Sequence, residues 1–148
     1  VCRPAATLGF ASSDTQRLEA KNQMIPPKKI SQTLIEYADF LIEELPDGYS
    51  KNELEQILKL CACTWNSCVL DQWHKTTDNV SALRRQIAQT DPITVAIVEL
   101  LIARKKQVFG HDPRAITNEC VVIKNGEFVV RAEARFDLEY MDVEGRAH

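Results

Sequence analysis

The fold is decided by residues 50–73, which read SKNELEQILKLCACTWNSCVLDQW. Ser50 and Glu53 form a capping box, in which each side chain satisfies the free backbone N–H of the other residue, so a helix begins here. Apolar residues then recur at three- and four-residue spacing and form the main face: Leu54, Ile57, Leu58, Cys61, Trp65, Cys68 and Val69. The opposite side carries Leu60, Cys63 and Leu70. A helix that is apolar almost all round usually packs on more than one side, so we predict that this helix is central.

Three shorter helices are predicted around this one. Residues 31–45 carry an apolar stripe at helical spacing, which is typical of a surface helix, and residues 80–89 repeat the pattern. The polar face of the first of these helices consists of Gln32, Glu36, Asp39 and Glu43. Asp91 is an N-cap residue before Pro92 at the first helical position, so another helix begins there. Its residues 93–102 are apolar on two sides, and we expect both sides to be covered.

The last element changes period from helical to alternating. Residues 120–124 and 127–131 flank Asn125 and Gly126, a pair that favours a two-residue type I′ hairpin turn. The implied register pairs Lys124 with Glu127, Ile123 with Phe128 and Val121 with Val130. One face then collects Val121, Ile123, Phe128, Val130, Ala132, Ala134 and Phe136. A lone two-stranded ribbon is marginally stable in water, so we expect it to lie on the helices or to pair with another chain.

The predicted fold is therefore α+β and mainly α, an irregular bundle of four helices with a C-terminal two-stranded antiparallel hairpin. We expect a single domain over residues 28–137, a flexible N-terminal tail over 1–27 and a frayed acidic tail over 138–148. The chain begins with Val1, and Met24 stands just before the patterned region. This arrangement fits a fragment, an alternative start codon or a reading frame whose natural start is Met24.

Composition excludes several classes of protein. With 148 residues, 45% hydrophobic and 26% charged, the chain has the average make-up of a globular domain and not that of a collagen-like or disordered one. A net charge of −3 excludes a strongly basic nucleic-acid coat protein. The odd count of 5 cysteines and the lack of a signal-peptide pattern predict a reducing, cytoplasmic location in a protein of bacterial type. The most apolar stretch is too short for a membrane span, which takes about 20 residues.

A candidate pocket near the end of the long helix consists of Trp65, Cys68, Asp71 and His74. Asp71, His74 and Asp78 have the three- and four-residue spacing of ligands or of an acid–base pair, but we favour a capped helix end with a histidine at its negative pole. Cys61 and Cys63 point in nearly opposite directions on a helix, which does not suit a shared metal. No catalytic motif is present, so we expect no catalytic residue, cofactor or metal ion.

A second candidate site is a basic patch formed by Arg84, Arg85, Arg104, Lys105 and Lys106. Such a cluster predicts phosphate contacts on a nucleic acid. The helices on either side of residues 89–91 have the outline of a helix-turn-helix, but the second is apolar where base-reading side chains belong. A buried helix with a basic C-terminal cap explains the same residues.

Self-association explains more of the pattern than either candidate site does. Two helices that are apolar on nearly all sides and an open hairpin edge all need cover in a domain of this size. We therefore expect a non-enzymatic, oligomerising interaction or regulatory module, most simply a homodimer. The same apolar surfaces would allow another protein as a partner, and we expect no membrane binding. A nucleic-acid-associated protein is the first alternative, and an enzyme or small-molecule binder near His74 is the second.

Overall fold

The structure, a computed structural model, describes residues 28–136. Within them lie four helices and two strands: α1 Ile30–Ile42, α2 Lys51–His74, α3 Asp78–Ile87, α4 Pro92–Val108, β1 Ala115–Lys124 and β2 Glu127–Arg135. The strands form a C-terminal antiparallel hairpin, so the predicted α+β, mainly α fold is confirmed. The predicted tails, residues 1–27 and 138–148, lie outside the described residues. No helix in the described part is long and apolar enough to cross a membrane.

Helix α2 is the centre of the fold, as its apolar pattern predicts. It begins with the predicted capping box, in which Glu53 N donates to Ser50 Oγ at 3.1 Å and Ser50 N donates to Glu53 Oε1 at 2.9 Å. From there α2 contacts α1, α3, α4 and β1. Asn66 uses both ends of its amide on the backbone of Ile116, so a polar side chain joins α2 to β1. A helix with neighbours on this many sides needs such bonds for its buried polar groups.

An aromatic cluster holds α1, α2 and the end of α4 together. Tyr37 and Trp65 are fully buried with ring centroids 5.1 Å apart, edge to face, and Phe109 contacts both rings. The polar tips of the two buried rings donate to backbone carbonyls, Tyr37 Oη to Leu101 O and Trp65 Nε1 to Arg114 O, each at 2.6 Å. Because a buried donor without an acceptor is costly, these bonds fix α4 and the chain that follows it against α1 and α2.

The connection between α4 and β1 contains a buried ion pair. Arg114 donates to both carboxylate oxygens of Asp112, at 2.9 and 2.7 Å, and the two side chains are each 5% exposed. The same guanidinium donates to Lys28 O and Thr33 Oγ1, and these two bonds hold the connection against the start of α1. A buried pair of charges tolerates desolvation only with such additional bonds.

The exposure of α1 differs from the prediction at one end of its polar face. Gln32 is buried, whereas Asp39 and Glu43 on the same predicted face are exposed. The expectation of a solvent face is wrong at Gln32, because the start of α1 is packed against the connection between α4 and β1. In α4, by contrast, the buried residues are Val98, Leu101, Ile102 and Lys105. Ile93 and Leu100 are 72% and 57% exposed. Within the described part of the chain, neighbours cover α4 on one side only, and cover of the other side by a second chain stays a prediction.

The hairpin has the predicted register. Lys124 pairs with Glu127, Ile123 with Phe128 and Val121 with Val130. β1 begins earlier than the pattern indicates, at Ala115, because a bulge inside the strand breaks the alternation. Val121 and Val130 are buried against the helices, but Ile123 is 61% exposed. The predicted apolar face is therefore covered only in part, since residues 123–127 at the turn end are all exposed.

Candidate functional site

A cavity of about 420 Å³ opens between α2, α3 and the C-terminal half of α4. Its charged side chains are Asp71, Arg84, Lys105 and Lys106. Cys68 and Val80 supply apolar surface, and Thr76 and Thr77 line it from the turn between α2 and α3. The volume falls within the range of small-molecule sites, roughly 300–1,000 Å³.

The carboxylate of Asp71 is hydrogen-bonded to the N-terminus of α3. Its carboxylate accepts from Asn79 N at 2.8 Å, Val80 N at 3.0 Å, Asn79 Nδ2 at 2.9 Å and Thr76 Oγ1 at 2.9 Å. Burial raises the pKa of Asp71, but the hydrogen bonds from Val80, Asn79 and Thr76 outweigh it and hold the pKa below its usual value. The carboxylate is therefore charged at neutral pH, and its charge is directed at backbone N–H groups.

Lys105 is a buried cation, 2% exposed, at the side of the cavity. Its ammonium donates to Phe109 O at 2.8 Å and Asp112 O at 3.1 Å and lies 4.5 Å from the centre of the Trp65 ring. Burial lowers the pKa of Lys105 to about 8, with Asp112 acting in the opposite direction. Burial also raises the pKa of the neighbouring Cys68, which is consequently a thiol at neutral pH and a poor nucleophile.

Arg84 and Lys106 bring two more positive charges to the cavity from facing helices. The Arg84 guanidinium donates twice to Glu99, from Nε and from Nη2, each at 2.9 Å. Both members of this pair are about half exposed, and Lys106 is exposed. Three cationic side chains, Arg84, Lys105 and Lys106, line the cavity with one anionic side chain, Asp71, whose carboxylate is already hydrogen-bonded. The cavity therefore has a positive character.

The structure separates the four residues of the predicted pocket. Cys68 and Asp71 line the cavity, whereas Trp65 lies in the aromatic core. His74 is the last residue of α2 and is exposed, outside the residues that line the cavity. The helical spacing that unites the four in sequence does not bring them to one surface, because α2 is covered on several sides.

The predicted basic patch is also divided. Arg84, Lys105 and Lys106 line the cavity, while Arg85 is exposed on α3 outside it. Arg104 lies on another side of α4, where it donates to the backbone carbonyls of residues 36 and 37 in α1. Half of one predicted site thus meets most of the other in a single cavity, which lies between the last turns of α2 and the C-terminal half of α4.

Sequence reasoning missed the turn between α2 and α3 and the chain after α4. Thr76 and Thr77 follow the end of α2, where a polar pair reads as an ordinary loop. Gly110 also lines the cavity, and a Cβ there would lie 2.7 Å from the carbonyl oxygen of Lys106. The glycine that ends α4 was the available signal, since such a close approach of backbone to backbone favours glycine.

A second surface feature is the outer side of α4. Ile93, Ala96 and Leu100 are exposed at intervals of three and four residues, and Ile97 beside them is half-buried. We call these four residues the α4 stripe. Residues 92–98 carry no charged side chain. The stripe is apolar surface that the described part of the chain leaves largely uncovered.

Within residues 28–136 no group of three or more His, Cys, Asp or Glu side chains is placed to hold a metal ion. Compared with known proteins, the chain matches no family model, no curated protein and no solved structure.

Proposed function

We propose that this protein is a non-enzymatic, homodimeric interaction module whose two copies join through the α4 stripe. The observation that carries the proposal is the exposure of Ile93 and Leu100, at 72% and 57%, on the side of α4 opposite to its buried residues. Burying a large aliphatic side chain contributes about 1.5–3 kcal/mol, so covering both is favourable. A cytoplasmic location is part of the proposal, since Cys61, Cys63, Cys68 and Cys120 are free thiols.

The spacing of the stripe suits a second helix of the same kind. Ile93, Ala96 and Leu100 of the stripe, continued by the half-buried Ala103 outside it, follow the three- and four-residue alternation of the seam of a coiled coil. Large side chains alternate with alanine, so a facing helix approaches closely at each alanine and receives the large residues as knobs.

A twofold, antiparallel contact makes the stripe complementary to itself. With the axis between Ala96 and Ile97, Ile93 of one copy faces Leu100 of the other, and the same contact recurs on the other side of the axis. The absence of charge over residues 92–98 leaves no like charges to repel across such an axis. Each copy brings only two large, mostly exposed side chains to this contact, Ile93 and Leu100, beside the half-buried Ile97 at the axis, so we expect a weak dimer that depends on concentration.

The nucleic-acid alternative has less support from the placement of the basic residues. Arg104 donates to carbonyls of α1, Lys105 is buried, and Arg84 lies at the cavity with its guanidinium on Glu99, so these three do not form an open face that a nucleic-acid backbone could follow. A surface that reads phosphates needs several cations on one face. Arg85 and Lys106 do not make such a face by themselves. Retention on heparin at low salt that falls steeply with added salt would revive this alternative.

Light scattering after size exclusion tests the proposal on the unmodified protein. At tens of micromolar we expect a mass that rises with concentration toward twice the 16.8 kDa of the chain. A mass that stays at one chain over this range contradicts the dimer.

A further inference from the structure

We propose that the cavity between α2, α3 and α4 binds the phosphate group of a small molecule. Arg84, Lys105 and Lys106 surround a space of about 420 Å³, which is larger than one phosphate group. The remaining volume lies against Cys68 and Val80 and suits an apolar or neutral body attached to that group. On α4 the site points away from the α4 stripe, so it does not depend on the proposed dimer.

The side chains at the cavity suit phosphate in type as well as in charge. A guanidinium offers a planar pair of donors that matches two phosphate oxygens, and an ammonium acts as a point charge. Arg84 lies on α3 and Lys106 on α4, so an anion between the two helices is approached from two directions. Thr76 and Thr77 line the same cavity with hydroxyl groups.

The Arg84 side chain is oriented by a solvent-exposed ion pair that a ligand can replace. Its bidentate pair with Glu99 orients the guanidinium at the cavity in the unliganded protein. Because both side chains are about half exposed, water screens the pair and it contributes little stability. A doubly charged phosphate therefore competes well with the single carboxylate of Glu99 for the same donors.

The remaining charges at the cavity favour an anion. Asp71, the acidic group that lines it, is bonded to the N-terminus of α3, which removes that helix end as an anion site and leaves recognition to the basic side chains. Lys105 adds a buried positive charge close by, held by Phe109 O and Asp112 O. Burial lowers the pKa of Lys105 to about 8, so most molecules keep this charge at pH 7.

An NMR titration with inorganic phosphate tests the site. Potassium phosphate is added at pH 7 to the ¹⁵N-labelled full chain, with potassium chloride at matched ionic strength as the reference. We expect saturable shifts of the amides of Thr76, Thr77 and Gly110 with phosphate and not with chloride. Shifts that grow linearly, or that are the same with both salts, overturn the proposal.

Matched variants decide whether the cavity or the general charge binds phosphate. Arg84→Gln combined with Lys106→Gln removes two charges from the cavity, and we expect about tenfold weaker binding or more. Arg85→Gln alters the neighbouring, exposed arginine outside the cavity, and we expect an unchanged affinity. Lys106→Gln alone keeps the Arg84 pair with Glu99 and serves if the double variant folds poorly. Equal weakening by Arg85→Gln, or no weakening by the cavity variants, overturns the site.

Discussion

At the scale of single residues, three buried charges explain how the region around α4 is held. Lys105, Asp112 and Arg114 are each at most 5% exposed, and every one is bonded to backbone or to an opposite charge. The sequence pattern places Lys105 in a basic patch but does not indicate that any of the three is buried. Their partners lie in other elements or depend on the path of the chain after α4, which a sequence without contacts does not specify.

The Arg114 and Asp112 pair gives a first prediction. Arg114→Met leaves the Asp112 carboxylate buried without its counter-charge, and we expect the free energy of unfolding to fall by about 3–5 kcal/mol. Urea denaturation measures this loss. Arg131→Met, on an exposed position of β2, is the matched control and should change stability by less than about 0.5 kcal/mol. Similar losses in both variants would show that the buried pair is not what stabilises the connection.

Lys105 gives a prediction for the pH dependence of stability. Its pKa is lowered to about 8 in the folded protein from its ordinary value of 10.5, so between these values the unfolded chain binds more protons and stability rises with pH. From pH 7 to 9.5, wild type should gain about 1–2 kcal/mol relative to Lys105→Met. Urea denaturation of both proteins at the two pH values measures this, and thiol titration cancels in the comparison. A constant difference between them contradicts a depressed pKa.

At the scale of elements, a helix start is predictable where its N-cap residue is next to it in sequence, and is not predictable where the capping side chain lies in another helix. Ser50 caps α2 and Asp91 caps α4, each bonded to a residue three positions ahead, and both starts are confirmed. The start of α3 was placed late, at residue 80 instead of 78. The Asp71 carboxylate accepts hydrogen bonds from backbone N–H groups in the first turn of α3, but Asp71 belongs to the preceding helix. No local capping pattern therefore indicates where α3 begins.

Removing this distant cap has a specific consequence for α3. Asp71→Ala leaves the amides of Asn79 and Val80 without their acceptor, and we expect a loss of about 1–2 kcal/mol in unfolding free energy. Amide hydrogen exchange should become faster at these two positions before it changes in α2. Asp78→Ala, in the exposed first turn of α3, is the control and should have a smaller effect. Unchanged exchange at Val80 would contradict the cap.

At the scale of the whole molecule, the fold class followed from apolar periodicity, because a central helix and amphipathic neighbours leave few ways to bury their faces. The Asn125 and Gly126 turn likewise determined the hairpin register. Periodicity could not say which apolar side of α4 would be covered within the chain. Periodicity also could not predict that Arg84 and Lys106 line one cavity, because their proximity depends on how α3 and α4 pack against α2.

The most direct test of the homodimer compares two substitutions that place a lysine on an exposed aliphatic position. Leu100 and Ile123 are 57% and 61% exposed, but only Leu100 lies in the α4 stripe. We expect Leu100→Lys to be a monomer at tens of micromolar, because two desolvated ammonium groups would face the stripe of the other copy, while Ile123→Lys keeps the wild-type mass. Light scattering of the three proteins at equal concentration gives the answer. A Leu100→Lys protein that keeps a dimeric mass would contradict an interface formed by α4.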